Sequence, residues 1–258
     1  MRSRPQRRKP GPRFASKSAP PAPYNLHQRM MQSRARLLVV SPHLDDAVLS
    51  CGLLLTASPS AIVCTVFTAP PGENMSTDWD RQSGFKDAFE AMQARKQEDA
   101  HALEMLGARP VHLPFCDAQY LHTPSRDELA EALRHTLEAY QPENVMVPLG
   151  LFHSDHTLVS DACLSLIAGM GDTVFHTYEE IPYRRMEHAV PDRIEELTKR
   201  GYLLSPADDL AATARQSVSH EQMKREAIAA YASQLRAFGP DAETTLYCEE
   251  KYWRLQRA

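Results

Sequence analysis

Short runs of apolar and β-branched residues alternate with longer helical patterns from residue 36 onward, and this alternation constrains the fold more than any other feature. Five runs predict strands: RLLVVS (36–41), AIVCTVFT (61–68), VHLPF (111–115), NVMVPL (144–149) and TVFHTY (173–178). Helical periodicity lies between them, over residues 46–57, 84–107, 126–140 and 156–169. The series predicts an α/β fold, a Rossmann-like three-layer sandwich around a mostly parallel sheet.

After residue 180 the strand signal weakens, and only helical stretches near 191–201 and 219–237 stand out. No internal repeat is visible along the chain. The length of 258 residues, with 43% apolar composition, is enough to bury one large core. We therefore expect a single domain over residues 36–258.

The first 35 residues differ from the rest in composition. Residues 1–36 contain ten Lys or Arg and no Asp or Glu, and prolines are frequent among them. This composition predicts a disordered, basic, proline-rich arm over residues 1–35. Basic runs indicate partners only weakly, so we interpret the arm as a solvated extension and do not predict nucleic acid as a partner.

Several protein classes lose their support in this sequence. No run of about 18 apolar residues predicts a membrane span, and no apolar core near the start predicts a secretory signal. The five cysteines are odd in number and lack C-x-x-C spacing, which favours a reducing, cytoplasmic setting. G-x-S-x-G, G-x-x-x-x-G-K-[ST] and a G-x-G-x-x-G after the first strand are all absent, which argues against serine hydrolases, NTPases and dinucleotide enzymes.

Two polar clusters follow directly on predicted strands. SPHLDD (41–46) follows the first strand, and GLFHSDH (150–156) follows the fourth. If the strand order runs 3-2-1-4-5, these two strands are neighbours and both clusters lie at the switch point, where α/β folds bind ligands. Adjacent aspartates at a helix start are also ordinary capping residues, so the first cluster alone would be weak support for a site.

Together the two clusters offer three histidines and three carboxylates. Two histidines and one carboxylate suffice for a catalytic metal site with an open position for water. A carboxylate that is not a ligand can take a proton from that water, and a spare histidine can stabilise an oxyanion or protonate a leaving amine. These groups predict the hydrolysis of an amide.

At this point the motifs resemble those of the LmbE/PIG-L family of zinc-dependent N-deacetylases. PHLDD and HSDH are similar to the paired motifs of that family. ARKQEDAHALEMLG (94–107) is similar to its R-x-x-E-x-x-x-A helix, and KREAIAAYASQ (224–234) to its K-x-x-A…SQ segment. The resemblance spans roughly residues 36–236, and it implies an LmbE-like fold.

The resemblance also implies roles for individual residues. It makes His43, Asp46 and His156 the ligands of zinc, or of another divalent metal, and Asp45 the general base that deprotonates the attacking water. His153 would polarise the tetrahedral intermediate or protonate the departing amine, with Asp155 orienting its imidazole. Arg95 and Asp117 would face the hydroxyl groups of a sugar. An alternative for Arg95 is an exposed ion pair with Glu98, one helical turn away.

The sequence departs from the family pattern at two points. Some members have a tyrosine two residues before the first histidine of the second motif, whereas this chain has Leu151; either His153 and the metal suffice, or Tyr178 or another group substitutes. The frequent HPDDE is HLDDA here. With TDWDRQSGF (77–85) and YEEIPY (178–183), that variant resembles the branch containing deacetylases of sugar-decorated secondary metabolites. Residues 70–84 are predicted to form a loop beyond the second strand, and Trp79 within it would cover a sugar ring or anchor its own loop.

The resulting hypothesis is a zinc-dependent deacetylase of the N-acetylglucosaminyl type. It would hydrolyse the N-acetyl or N-acyl amide of a small-molecule amino sugar or its glycoconjugate. Two alternatives stay open: a non-catalytic carbohydrate-binding or interaction protein on the same fold, and an amidase acting on a thiol-sugar conjugate. The sequence leaves the acyl length, the aglycone and the oligomeric state open.

Overall fold

A seven-stranded sheet lies at the centre of the described part of the chain, residues 35–214 and 217–258 of a computed structural model. Its strands are β1 Leu37–Ser41, β2 Ile62–Ala69, β3 Arg109–Cys116, β4 Asn144–Pro148, β5 Val174–Tyr178, β6 Tyr202–Pro206 and β7 Tyr252–Arg257. Their order across the sheet is β3-β2-β1-β4-β5-β7-β6. The predicted order 3-2-1-4-5 is therefore confirmed, and β1 and β4 are neighbours.

Ten helices surround the sheet within these described residues. They are α1 Asp46–Thr56, α2 Asp78–Gln82, α3 Ala88–Met105, α4 Arg126–Tyr140, α5 Ser154–Leu166, α6 Ala189–Lys199, α7 Asp208–Ala214, α8 Val218–Ala229, α9 Ala232–Phe238 and α10 Ala242–Leu246. Short 3₁₀ turns occupy Ala118–Tyr120 and Ile167–Gly169. None of these helices is long and apolar enough to cross a membrane.

Alternate side chains of the central strands enter two separate cores, as the pleat of a strand requires. Leu37 and Val39 of β1 pack with α1, α3, α7 and α8 on one face of the sheet. Leu38 and Val40 pack with α4, α5 and α6 on the other face. Because both faces are covered, β1 is buried along its whole length, which explains its continuous apolar sequence. The predicted three-layer α/β architecture is confirmed.

The pairing of β1 to β5 is parallel, and β7 pairs antiparallel with both β5 and β6. The sequence predicted the five parallel strands but not β6 and β7. β6 is mostly exposed and ends at a proline, and β7 buries only part of its residues. Such strands carry a weak hydrophobic pattern.

Two predicted helices also differ from the structure. The helix expected from residue 84 begins at Ala88, because the Asp87 carboxylate accepts the N–H of Glu90 as its N-cap. The helix expected over 219–237 is interrupted at Tyr231, whose backbone is not helical and whose hydroxyl donates to Asp99 at 2.8 Å. The basic arm expected over residues 1–35 lies outside the described residues apart from Ala35.

Candidate active site

The loop after β1 is closed on itself and fixes the first polar cluster. The Ser41 hydroxyl donates to the carbonyl of His43 at 2.7 Å and accepts the N–H of Ala47 at 3.0 Å. The N–H of His43 donates to Asp46 Oδ2 at 2.9 Å. These bonds hold His43 and the first residue of α1 on the same side of the loop, at the carboxyl end of the sheet.

The loop after β4 depends on Gly150 and on a buried carboxylate from beyond β5. Gly150 has φ +90°, and a Cβ at this position would lie 2.8 Å from the Cβ of Ser160, so only glycine fits. Glu180 Oε1 accepts the N–H groups of Gly150 at 2.7 Å and of Leu151 at 3.0 Å. Glu180 is fully buried, and it thereby shapes the loop that leads into the second polar cluster.

His153 caps α5 and is fixed in one neutral tautomer by that role. Its Nδ1 accepts the backbone N–H of Asp155 at 3.2 Å. Nδ1 is therefore unprotonated in the neutral ring, and Nε2 carries the hydrogen. Burial, followed by the positive charges of His43 and His156, lowers the pKa of His153. The ring therefore offers a neutral N–H donor to the cavity that it lines.

Three ligand atoms from the two clusters form a nearly regular triangle. His43 Nδ1 lies 3.2 Å from His156 Nε2 and 3.3 Å from Asp46 Oδ2, and His156 Nε2 lies 3.2 Å from the same oxygen. Zinc bonds of 2.0–2.1 Å in tetrahedral geometry place neighbouring ligand atoms about 3.3 Å apart. The triangle has the dimensions of one face of such a tetrahedron.

The outer nitrogen of each of these histidines contacts a carboxylate. His43 Nε2 lies 3.0 Å from Asp155 Oδ2, and His156 Nδ1 lies 3.2 Å from Glu180 Oε1. An ionised carboxylate only accepts hydrogen bonds, so in the neutral rings these outer nitrogens carry the N–H. The inner nitrogens, His43 Nδ1 and His156 Nε2, then present lone pairs to each other. In these tautomers three lone-pair donors converge within 3.3 Å of one another, and this donor set fits a divalent metal.

Electrostatics at the triangle give the same indication. Burial lowers the pKa of His43, but Asp117, Asp155 and Asp46 outweigh it and hold the pKa well above its ordinary value. Burial likewise lowers the pKa of His156, and Asp46 above all raises it to about 9. Burial raises the pKa of Asp46, but the charge and hydrogen bond of His156 hold it well below the ordinary value. The surroundings therefore favour positive charge at this point.

Asp45 differs from its neighbour Asp46 in that its carboxylate accepts no hydrogen bond from the described residues. It is buried at the N-terminus of α1, yet its side chain does not cap the helix. Within residues 35–214 and 217–258, no donor forms a hydrogen bond with its carboxylate, which lines the cavity. Burial, and then the charge of Asp46, raise the pKa of Asp45 to about 7. A carboxylate with these properties can accept a proton near neutral pH.

The cavity beside the triangle has a volume of about 250 Å³. Its polar lining includes His43, Asp45, Asp46, Asp117 and His153. Its apolar and aromatic lining includes Phe67, Trp79, Met92, Tyr183 and Phe238. A pocket lined by apolar and aromatic side chains with a few convergent polar groups is typical of small-molecule sites.

The structure corrects the predicted partner of Asp155. The Asp155 carboxylate was expected to orient His153, but its Oδ2 lies 4.0 Å from His153 Nδ1 and 3.0 Å from His43 Nε2. The same oxygen accepts the N–H of Ala118 at 3.2 Å. Asp155 orients His153 through its backbone N–H, because it lies in the first turn of α5, where that N–H has no helical acceptor.

The exposed pair of Arg95 with Glu98 is also wrong. Arg95 is buried, and its guanidinium donates to Asp80 at 3.0 Å and to the Tyr120 hydroxyl at 3.3 Å. Glu98 instead accepts both the N–H and the hydroxyl of Ser233. Arg95 lines the cavity, but its terminal nitrogens already donate to protein groups, Nη2 to Asp80 and Nη1 to Tyr120.

Asp117 and Trp79 lie where the sequence placed them, at the cavity. Asp117 Oδ2 is 3.8 Å from His43 Nε2, and Asp117 also accepts the backbone and side-chain N–H groups of Gln119. Trp79 lines the cavity and donates from Nε1 to Gln234 at 3.2 Å. It therefore both lines the cavity and anchors its own short helix, α2, to α9.

Two residues of the site were missed by sequence reasoning, Glu180 and Tyr183. Both belong to YEEIPY, the segment that follows the fifth strand, so its position at the same edge of the sheet was the available signal. Tyr178 was named as a substitute for the missing tyrosine, but its hydroxyl is buried and donates to the carbonyl of Val40 at 2.9 Å. It cannot serve the cavity.

Comparison with known proteins was consistent with this geometry. The family model described as PIG-L: GlcNAc-PI de-N-acetylase matches residues 38–167, half of the chain. A 2'-N-acetylparomamine deacetylase from Streptomyces fradiae is 28% identical over 207 residues, which cover 72% of this chain and 71% of the relative.

Solved structures of similar fold include two further deacetylases. A triple mutant of a deacetylase in the teicoplanin biosynthetic pathway has a TM-score of 0.71 at 24% identity, covering 86% of this chain and 98% of the other. The A40926 pseudoaglycone deacetylase Dbv21 has a TM-score of 0.66 at 26% identity, covering 87% of this chain and 98% of the other.

Proposed function

Because this chain belongs to the PIG-L family of de-N-acetylases, we propose that it hydrolyses the N-acetyl or N-acyl amide of an amino sugar or its glycoconjugate. The products are the free amine and a carboxylate. One observation carries the proposal: the ligand triangle lies beside Asp45, a carboxylate without a hydrogen-bond donor in the described part of the chain. Ligands and a base are the two requirements of metal-assisted amide hydrolysis.

We assign His43, Asp46 and His156 as the ligands of zinc, which their geometry fits; another divalent metal would suit the same donors. When bound, the metal would polarise the amide carbonyl and lower the pKa of the attacking water. Asp155 and Glu180 fix the ring orientation of the two histidines and keep their inner nitrogens unprotonated.

The other residues of the site move protons and stabilise charge. Asp45 accepts a proton from the water as it adds to the amide carbon. The Nε2–H of His153 donates to the oxygen that gains negative charge in the tetrahedral intermediate. Collapse of that intermediate breaks the C–N bond, and the proton held by Asp45 passes to the departing amine.

The substrate class follows from the lining of the cavity. Asp117 offers a carboxylate for sugar hydroxyl groups, and the rings of Trp79 and Phe238, 5.3 Å apart, offer an apolar wall for a sugar face. The ion pair between Arg95 and Asp80 positions α2, which contains Trp79, and Arg95 is not assigned a contact with the sugar. One relative is named for 2'-N-acetylparomamine and a similar structure for the A40926 pseudoaglycone, and these names support a decorated secondary metabolite as the proposed substrate.

Release of amine from a panel of N-acyl amino sugars tests this proposal. The panel includes N-acetylglucosamine derivatives, N-acetylated aminoglycosides and a thiol-linked sugar amide, each assayed with and without chelator. We expect chelator-sensitive amine release from at least one sugar amide. Sugar binding without amine release from any compound would contradict the proposal and support the carbohydrate-binding alternative. Activity restricted to the thiol-linked amide would support the alternative of an amidase that acts on a thiol-sugar conjugate.

Glu180→Gln is expected to lower metal affinity by about 10–100-fold, the usual effect of losing a carboxylate behind a histidine ligand. Glutamine can still accept the N–H groups of Gly150 and Leu151, but it withdraws the negative charge from His156. Competition with a fluorescent chelator measures the affinity. Glu179→Gln is the matched control, because Glu179 is the adjacent buried carboxylate and accepts the indole N–H of Trp253 instead of contacting His156. Equal metal affinity in the two variants would contradict the assignment.

A further inference from the structure

The proposed reaction needs hydrogen-bond donors at the oxygen that becomes negatively charged, and only some groups near the triangle qualify. His153 is one donor. Leu151 is buried in the core and has no polar group, and the Tyr178 hydroxyl is bonded to a backbone carbonyl. Among the described residues that line the cavity, Tyr183 is the remaining phenol.

Tyr183 is held in place by the segment that also supports His156. Its N–H donates to the carbonyl of Glu180 at 3.0 Å, in the turn that follows β5. Its ring packs edge-on against His156 with centroids 5.1 Å apart and stacks on His153 at 6.3 Å. Phe152 packs on it at 5.6 Å. Contacts with three rings fix the phenol against two site histidines.

The Tyr183 hydroxyl differs from those of the buried tyrosines in its bonding. Tyr120 donates to Asp80, Tyr178 to Val40 and Tyr231 to Asp99. No hydrogen bond is made by the Tyr183 hydroxyl to any residue in the described ranges. Tyr183 lines the same cavity as Asp45 and Asp46, and its ring contacts His153 and His156. A phenol in this position can donate a hydrogen bond to a ligand in the cavity.

We propose that Tyr183 is a further catalytic residue that donates a hydrogen bond from its phenol to the developing oxyanion, beside the donor of His153. The inference rests on the proposed amide hydrolysis and adds a second donor to that same site. Two neutral donors would surround the oxygen, and both are fixed before the substrate binds. Such preorganised donors stabilise the transition state more than the planar amide.

Tyr183→Phe tests the proposal, because phenylalanine keeps the packing against the histidines and removes only the hydroxyl. We expect kcat to fall about 100-fold or more, with KM within about twofold and metal content unchanged. The affinity of the variant for a tetrahedral methylphosphonamidate analogue of the best N-acetyl substrate should fall by a similar factor. Tyr202→Phe is the matched control. Tyr202 lies on β6, outside the cavity lining, and its hydroxyl donates to the carbonyl of Leu164 at 3.3 Å.

Three results would overturn this role for Tyr183. An unchanged kcat in Tyr183→Phe would show that the hydroxyl is not a donor in the reaction. A raised KM with normal kcat would make it a ground-state contact, and a loss of metal would make its role structural. These results are distinguishable from failure of the proposed function, which would appear as wild-type protein that releases no amine from any sugar amide and would overturn both.

Discussion

Asp45→Asn is expected to lower kcat by about 10³–10⁴-fold while the protein keeps its metal, the upper range for losing a general base. Asparagine preserves the volume at this buried position but cannot accept the proton of the attacking water. Asp45 has no donor in the described part of the chain, so the substitution breaks no hydrogen bond of its carboxylate. Single-turnover amine release with metal analysis on the same sample measures both quantities.

The neighbouring carboxylate provides the contrast. Asp46→Asn removes a charge 3.2 Å from His156 Nε2 and is expected to weaken metal binding as well as turnover. The adjacent aspartates would thus separate, one acting on protons and the other on the metal. Asp45→Asn with more than a tenth of wild-type kcat, or with metal lost to the same extent as in Asp46→Asn, would contradict this division.

Lys224→Ala is expected to have the largest effect on stability. Lys224 is fully buried beneath α1, with its side chain against Gly52 and its Nζ 2.5 Å from Glu250 Oε1. The same oxygen accepts the N–H of Leu53 at 2.8 Å. Alanine would leave the Glu250 charge buried without its cation, at a cost of about 3–5 kcal/mol. For a domain of this size the Tm should fall by roughly 10 °C in thermal unfolding.

The double variant Lys224→Met with Glu250→Gln is the control for this effect. It removes both charges together, while glutamine can still accept the N–H of Leu53. We expect it to recover most of the lost stability, because the cost comes from the stranded carboxylate rather than from the absence of the pair. A Tm for Lys224→Ala within about 2 °C of wild type would contradict the account of the pair.

The central fold could be predicted because its strands are buried on both faces. Strands such as β1 have continuous apolar sequences, and the polar residues begin where the strand ends, at the site. Two local motifs and one topological rule therefore brought the two polar clusters together, and the resemblance to the family assigned His43, Asp46 and His156 among them as the ligands. β6 and β7 could not be predicted in the same way, because little of their surface is buried.

The contacts that support the ligand histidines were harder to predict from the sequence, because they join residues that are distant along the chain. Nothing in the spacing of YEEIPY shows that Glu180 accepts two N–H groups from the loop after β4, or that it contacts His156. Asp155 was paired with His153, which its backbone N–H does contact, whereas its carboxylate contacts His43 across the site. Local sequence can identify the type of a side chain at the rim, but the partner depends on how two loops meet.

The segments similar to the third and fourth family motifs serve as connections between elements around the site. Glu98 of α3 accepts two hydrogen bonds from Ser233, and Asp99 accepts the hydroxyl of Tyr231. Gln234 accepts the indole N–H of Trp79. These bonds fix α2, which contains Trp79, and the start of α9 beside the cavity, which explains why both segments accompany the two clusters.

Metal dependence is the central claim, and one reconstitution experiment tests it most directly. Wild-type protein is dialysed against a chelator, metal per chain is measured, and amine release is assayed before and after zinc is returned in stepwise amounts. We predict that activity disappears with the metal and returns in proportion to zinc up to about one ion per chain, with no return in His156→Ala. Full amine release by protein that contains no metal would contradict the account.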